Sequence, residues 1–534
     1  MSLPNWLQKR APFIFFMSFY FVLCACLYRD FGISWDEYDC YSIGSALFHY
    51  LVGNGWKASD FLEKVGGWDK GWNPNFWIPY DYWYTAFLYA FNRGFSMELF
   101  HWMNMVFAGL MFWGAYEVLL DVTENPWGAL LGPLALLWTP RLMGYVPINP
   151  RDATFAVLFF IALVGIYFWG DPSRFHSYRV PLRYVLWMGL LIGMAQSTRL
   201  VGLALYPLWL IYGAICISME NGMDRRERLG HFKTLVCYVL MSLVVAHILM
   251  VLTWPYLGAN FFRHYLELLR VSTRFPFAGS VIFMGRNIQA DALPWYFLPV
   301  WLWVSTPLVV LIPAVASPFV LYFAKGRRLW ILLSGAILGI LLLWAVMRPV
   351  IYGDYRHFLF VVPPISVLGG WSIYVIFQKI RDSRLFWFAI LLFVAGAVVS
   401  MTNIVRLHPY EYIYLNEFVG GIGGSQGRYP TEMSGSGFKE CALWLKQNLP
   451  PVPGRVWKVN TLAQPFQSFY YFPKYIRWSE FDEADLFVAF SNCNGFYDTQ
   501  NKFHSLSGWV PIYSVKRCGV PLFYIFKRNG GGSL

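Results

Sequence analysis

Ser34-Trp35-Asp36-Glu37-Tyr38-Asp39 sets three carboxylates within four positions, just beyond an apolar run from Pro12 to Leu27. Reading outward from that junction decides the class of the chain. The run before it is long enough to cross a hydrocarbon core, which takes about 20 mostly apolar residues. The residues after it open a long, aromatic-rich stretch reaching to residue 96. Carboxylates at a membrane boundary are costly to place, so they call for a reason.

The rest of the chain has the same character. Of its 534 residues 57% are hydrophobic, 20% aromatic and only 13% charged. A soluble globular chain carries about 25% charged residues, so lipid is the solvent for most of this one. The formal net charge of +12 is not a nucleic-acid signature, because the basic residues fall in short clusters between apolar runs. The eight cysteines include no CxxC pair and no His/Cys spacing suited to zinc. Cys24, Cys26, Cys216 and Cys237 lie in or beside apolar runs, whereas Cys493 and Cys518 near the C-terminus are the pairing to test for a disulfide.

Applying the span length along the chain yields eleven segments. They are 12–30, 97–120, 127–146, 153–170, 182–199, 200–219, 234–254, 295–323, 329–347, 357–378 and 385–404. With the N-terminus cytoplasmic, five of the six inner segments hold basic residues, including Lys9 and Arg10, Arg225 to Lys233, Lys325 to Arg328, and Lys379 to Arg384. That distribution follows the positive-inside rule, and an odd count puts the C-terminus outside. The expected architecture is an all-α polytopic membrane protein of about eleven helices with a small extracytoplasmic α/β domain. The membrane module covers 1–404, with outer loops 29–96 and 255–294; the domain covers 405–528, and 529–534 is a flexible tail.

Within the first loop, 41–52 and 80–92 read as short helices, and Trp68, Trp72 and Trp77 as interfacial anchors. In the second, 260–271 reads as a helix with Phe261, Tyr265, Leu268 and Leu269 toward lipid. Arg263, Arg270, Arg274 and Arg286 stand there against the charge rule, which an anionic ligand would explain. Beyond residue 405, a helix is expected over Lys439–Leu449. Strands are expected at Val456–Asn460, Phe469–Tyr471, Leu486–Phe490 and Leu522–Phe526.

Several short motifs together resemble the GT-C superfamily of membrane glycosyltransferases, and within it relatives of the protein O-mannosyltransferases and lipid A aminoarabinose transferases. Ser34-Trp35-Asp36-Glu37 resembles their Asp-Glu motif. Thr139-Pro140-Arg141 to Asn149-Pro150-Arg151-Asp152 resembles a Pro-Arg…Asn-Pro-Lys-Asp stretch, with Arg151 in place of Lys. Ser197-Thr198-Arg199, and Tyr355-Arg356-His357-Phe358 before Pro363-Pro364, resemble a mid-chain Thr-Arg and a late Arg-Tyr/His stretch. His408-Pro409-Tyr410 to Asn416-Glu417 resembles a tail of bacterial relatives. Thr431-Glu432-Met433-Ser434-Gly435 departs from the Asp-Tyr-Trp-Gly found in some of them.

The resemblance implies transfer of a sugar from a polyprenyl-phosphate donor to an acceptor hydroxyl at the outer face of a bacterial inner membrane. It makes Asp36 the general base, with Glu37 and Asp152 as further acids. Departing phosphate needs positive charge, for which the candidates are Arg356, Arg274, Arg270 and Arg199, with Tyr355 and His357 beside them. No cofactor is obligatory; a divalent cation on Asp36 and Asp152 stays open.

Each candidate has a structural alternative. Asp152 suits a helix N-terminus, Arg141 and Arg199 can snorkel, Arg356 can pair with Asp354, and His247 reads as a satisfied core residue. A transporter or flippase of lipid-linked phosphates is the main rival function, and a scaffold whose outer domain binds polymer or protein the third.

Overall fold

The computed structural model describes residues 5–37, 40, 96–174, 180–253, 257, 260–275, 277, 279–351, 353–462, 469–491 and 508–529. The expected helices 41–52 and 80–92, the tryptophans between them, Asp39, Cys493 and the tail from 530 lie outside these residues.

Among the described residues, eight helices are long and apolar enough to cross a membrane. The chain is a multi-pass membrane protein. At its centre stands Asp152–Trp169, in which every residue from Asp152 to Tyr167 is buried. A helix apolar all round has no face to give to water or lipid and takes the middle of the bundle. Around it pack Met97–Thr123, Leu182–Thr198, Arg327–Met347 and the turn Arg356–Val361 that leads into Val362–Ile380. Leu385–Leu407 lies at the opposite extreme, with only Ser400 and Leu407 buried, as a helix solvated by lipid would be.

The expected eleven spans are not eleven long helices. Segment 127–146 is broken into Pro126–Ala129, Leu131–Leu137 and Pro140–Ile148. Segment 295–323 is split into Phe297–Ser305 and Leu308–Val320, with Thr306 extended before Pro307. At Thr139 and Thr306 the break falls where a following proline disfavours helical geometry in the residue before it. Counting apolar residues alone passes over those prolines. Leu182–Thr198 is 17 residues long and ends at Arg199, a single extended residue (φ −148°, ψ 130°) before the next helical turn.

In the segment after Arg225–Thr253, Phe261–Thr273 is helical as expected, but its apolar face is turned inward. Leu268 is buried, and Phe261 and Tyr265 pack with it against Leu200, Met250 and Leu257. Phe262 and Leu266 are the exposed residues instead. A hairpin follows, β1 (Ser280–Phe283) and β2 (Arg286–Gln289). Its two-residue turn, Met284-Gly285, has both residues at positive φ, as tight hairpins require.

The C-terminal region forms a five-stranded sheet in the order β4-β3-β5-β7-β6. β3 is Trp457–Thr461, β4 Ile476–Trp478, β5 Leu486–Phe490, β6 Trp509–Arg517 and β7 Val520–Arg528. β4, β3 and β5 run parallel, and β7 is antiparallel to β5 and β6. Helix Phe438–Asn448 covers one face through Phe438 on Phe523 and a stacked Trp444–Tyr513 pair at 4.7 Å. Residues 469–471 are a helical turn rather than a strand. β4 and β6 were not foreseen; β6 is an edge strand, and its Pro511 lies at a break in register before Tyr513, positions where a strand tolerates proline.

This domain grips the junction from which the reading began. Trp35 N–H donates to the Ser434 carbonyl at 3.1 Å, and Lys439 Nζ donates to the carbonyls of Arg29 and Phe31. Gly32 runs so close to Ser436 that a Cβ there would sit 1.9 Å from its carbonyl oxygen, so no other residue fits. The domain and the acidic motif therefore lie on the same side of the bundle.

Candidate active site

Ser34-Trp35-Asp36-Glu37 folds as the first turn of a helix, and its own side chains set that turn. Glu37 reaches back to accept the Ser34 N–H at 2.7 Å, half of a capping box. The Ser34 hydroxyl is used elsewhere, donating to the carbonyl of Ile148 and tying the motif to the end of Pro140–Ile148. The other Glu37 oxygen meets His101 Nε2 at 2.7 Å, with both side chains fully buried. Burial pushes the Glu37 carboxyl up, opposed by the His101 ring and the Ser34 N–H. Holding Glu37 in this way leaves Asp36, the residue before it, turned toward the bundle axis.

There Asp36 is joined to the guanidinium of Arg356, 320 positions later in the chain. The same guanidinium lies 4.0 Å from Asp152, which is joined in turn to Arg199. Four charges thus alternate along one line: Asp36, Arg356, Asp152, Arg199. Asp152 is fixed from below, because Asn149 donates to its carboxylate at 2.9 Å and accepts its backbone N–H at 2.8 Å. The line is most open at Arg199, 29% exposed, against 13% for Arg356, 12% for Asp36 and 1% for Asp152. His357 lies within the field of Arg199, Arg356 and Asp36.

A second arginine–carboxylate cluster lies beside the first. Arg141 does not snorkel: it is buried and joined to Asp354, with Tyr145 donating to the same carboxylate at 2.6 Å. Its guanidinium also donates to the Tyr414 carbonyl at 3.0 Å and stacks over Trp301 and Tyr355. Burial alone would raise the Asp354 carboxyl; Arg141 and Tyr145 outweigh it and hold the group below its usual range. Asp354 and Arg356 form no side-chain pair with each other. Only the Arg356 backbone N–H reaches Asp354, at 2.8 Å.

The structure therefore brings together Asp36, Glu37, Asp152, Arg356, Arg199 and His357. It does not bring Tyr355, whose ring is committed to the Arg141 stack. Nor does it bring Arg270 and Arg274, which are exposed at the end of Phe261–Thr273 and make no ion pair among the described residues. His247 is satisfied, between the Leu243 carbonyl and the Tyr265 hydroxyl. His101 was missed. A lone histidine just inside an apolar span is the signal that would have found it, since such groups are kept only with a buried partner.

Both carboxylates face Arg356, which is joined to Asp36 and lies 4.0 Å from Asp152. No group of three His, Cys, Asp or Glu poised for a metal occurs among the described residues.

No protein-family model matches the sequence, and no curated protein matches it. Solved structures do. ArnT from Cupriavidus metallidurans bound to undecaprenyl phosphate is similar over 97% of this chain and 98% of its own, at 13% identity and a TM-score of 0.50. Its apo state is similar over 96% and 97%, at 13% identity and a TM-score of 0.51. The oligosaccharyltransferase AglB from Archaeoglobus fulgidus is similar over 86% of this chain and 66% of its own, at 12% identity and a TM-score of 0.46. The likeness to ArnT runs end to end, through the helical bundle and the C-terminal sheet domain alike. This chain shares the fold of ArnT.

Proposed function

We propose that this protein is an integral-membrane glycosyltransferase that moves a sugar from a polyprenyl-phosphate donor to an acceptor hydroxyl. The observation that carries the reading is the junction of Asp36 with Arg356 at the head of the buried Asp152–Trp169 helix. Such a transfer needs a carboxylate for the acceptor proton and a cation for the leaving phosphate, side by side. The acceptor oxygen attacks the anomeric carbon as its proton passes to Asp36. The bond to phosphate breaks, and polyprenyl phosphate leaves against Arg356 and Arg199. Because the acceptor displaces the phosphate in one direct step, the displacement is inverting. The undecaprenyl phosphate bound to the ArnT of similar fold supports an undecaprenyl carrier here.

The clusters of Lys and Arg between spans support a bacterial inner-membrane setting, with the N-terminus cytoplasmic and the site and sheet domain outside. No cofactor is required by this scheme, because the donor arrives with its leaving group already activated.

The test uses purified protein in nanodiscs with a panel of undecaprenyl-phosphate sugars and cell extract as acceptor source, following free undecaprenyl phosphate by mass spectrometry. Release by wild type and its loss in Asp36→Asn is the expected result. No release from any donor, with lipid translocation detected instead, would replace this reading with a flippase.

A further inference from the structure

We infer that Arg356 is a gate on Asp36: the donor phosphate competes with the carboxylate for the guanidinium, so the base is released only when the donor is seated. The inference rests on the donor reading above and concerns the order of events at the same site.

In this structure the Asp36 carboxylate is occupied by the Arg356 guanidinium, so an acceptor hydroxyl can reach it only where that contact is given up. Arg356 is shared between Asp36 and Asp152, so any incoming anion must be weighed against two carboxylates. Arg199, at 29% exposed, is the group through which an anion first meets the line. A phosphate reaching both arginines offers several acceptor oxygens in the fork geometry guanidinium prefers, and gains charge as the sugar leaves.

The surroundings allow that exchange through the side chain alone. The Arg356 backbone is anchored, its N–H held by Asp354, which is itself locked by Arg141 and Tyr145. Glu37 is pinned by His101 and Ser34, so the turn bearing Asp36 stays in place when the arginine swings away. The exchange falls on the Arg356 side chain. An acceptor entering before the donor would meet a carboxylate held by Arg356; one entering after it would meet a carboxylate released from it.

The consequence separates this gate from an ordinary ion pair. Removing the Asp36 charge removes a competitor for Arg356, so Asp36→Asn binds undecaprenyl phosphate more tightly than wild type, on the order of tenfold. Adding Arg356→Ala to that variant abolishes the gain. Binding of undecaprenyl phosphate to protein in nanodiscs is the measurement, with Asp36→Ala as a second variant should the Asn protein fail to fold. Binding by wild type that is equalled or weakened in both Asp36 variants overturns the gate and leaves the donor reading standing. Absence of binding by wild type and variants alike overturns the donor reading itself, and the gate with it.

Discussion

Two arginine–carboxylate clusters stand next to each other in this bundle, built from residues two positions apart in the chain, and they behave differently. Asp354 with Arg141 is sealed, at 4% and 3% exposed, and every partner it needs is protein. Asp36, Arg356, Asp152 and Arg199 have the same chemistry, but the arginines keep a way out to the surface. The difference lies in neighbours. The sealed pair is roofed by Trp301 and Tyr355 and tied to the Tyr414 carbonyl. The open line has Asn149 beneath it, and its Arg199 is 29% exposed. An ion pair with all its partners in place is structure; one with a cation left reachable can exchange that partner for a substrate.

The largest expected effect breaks the open line. Asp36→Asn should lower turnover by about 10²–10⁴-fold, the range for loss of a general base, while the protein unfolds at nearly the wild-type temperature. The mirror experiment breaks the sealed pair. Asp354→Asn strands the buried Arg141 charge and should cost about 3–5 kcal/mol of stability, read as a lowered unfolding temperature in detergent. An intact Asp354→Asn protein with wild-type stability would mean that the sealed cluster is as adaptable as the open one.

Glu432 sharpens the contrast from the domain side. It is buried and accepts hydrogen bonds from Tyr412 and from the backbone N–H groups of Ser434 and Gly435. Burial pushes it from 4.5 up to about 7. A folded value above the unfolded one means the folded state holds its proton longer. Its stabilising contribution is complete below about pH 4.5 and is lost as pH rises to 7. Glu432→Gln should flatten the fall in unfolding temperature across that window; an unchanged slope would place the titration elsewhere. The smallest effect belongs to Arg270 and Arg274. Exposed and away from the open line, they should change turnover by less than about twofold when replaced by Ala, as surface charges usually do.

Much of this was legible where the information is local. Ser34-Trp35-Asp36-Glu37 and Asn149-Pro150-Arg151-Asp152 announce themselves because each folds its own turn, one through Glu37 reaching back to Ser34, the other through Asn149 holding Asp152. Helix Phe438–Asn448 and strand Leu486–Phe490 followed from periodicity. What failed depended on distant partners. Nothing near Arg356 says that its side chain bypasses Asp354, two residues away, to reach Asp36. Nothing near Arg141 says that a span-end arginine is buried. Arg270 and Arg274 were attractive because they defy the charge rule, yet the face of Phe261–Thr273 that packs is the one carrying Leu268, which turns them outward.

The sheet domain adds a restriction on how the site can be dissected. Ser434, Ser436 and Lys439 hold residues 29–35 in place. Deleting 430–528 would therefore disturb Asp36 along with any acceptor-binding surface. We propose that acceptor choice resides in this domain, and substitutions on its sheet surface test it without loosening the acidic turn.

The central claim is that the open line performs chemistry and the sealed pair does not. A single-turnover assay of undecaprenyl phosphate release, run in parallel on wild type, Asp36→Asn and Asp354→Asn below the unfolding temperature of each, tests it most directly. The account predicts a collapse of the rate constant in Asp36→Asn and a rate within a few-fold of wild type for folded Asp354→Asn. Equal losses in the two variants, or a wild-type rate in Asp36→Asn, would contradict it.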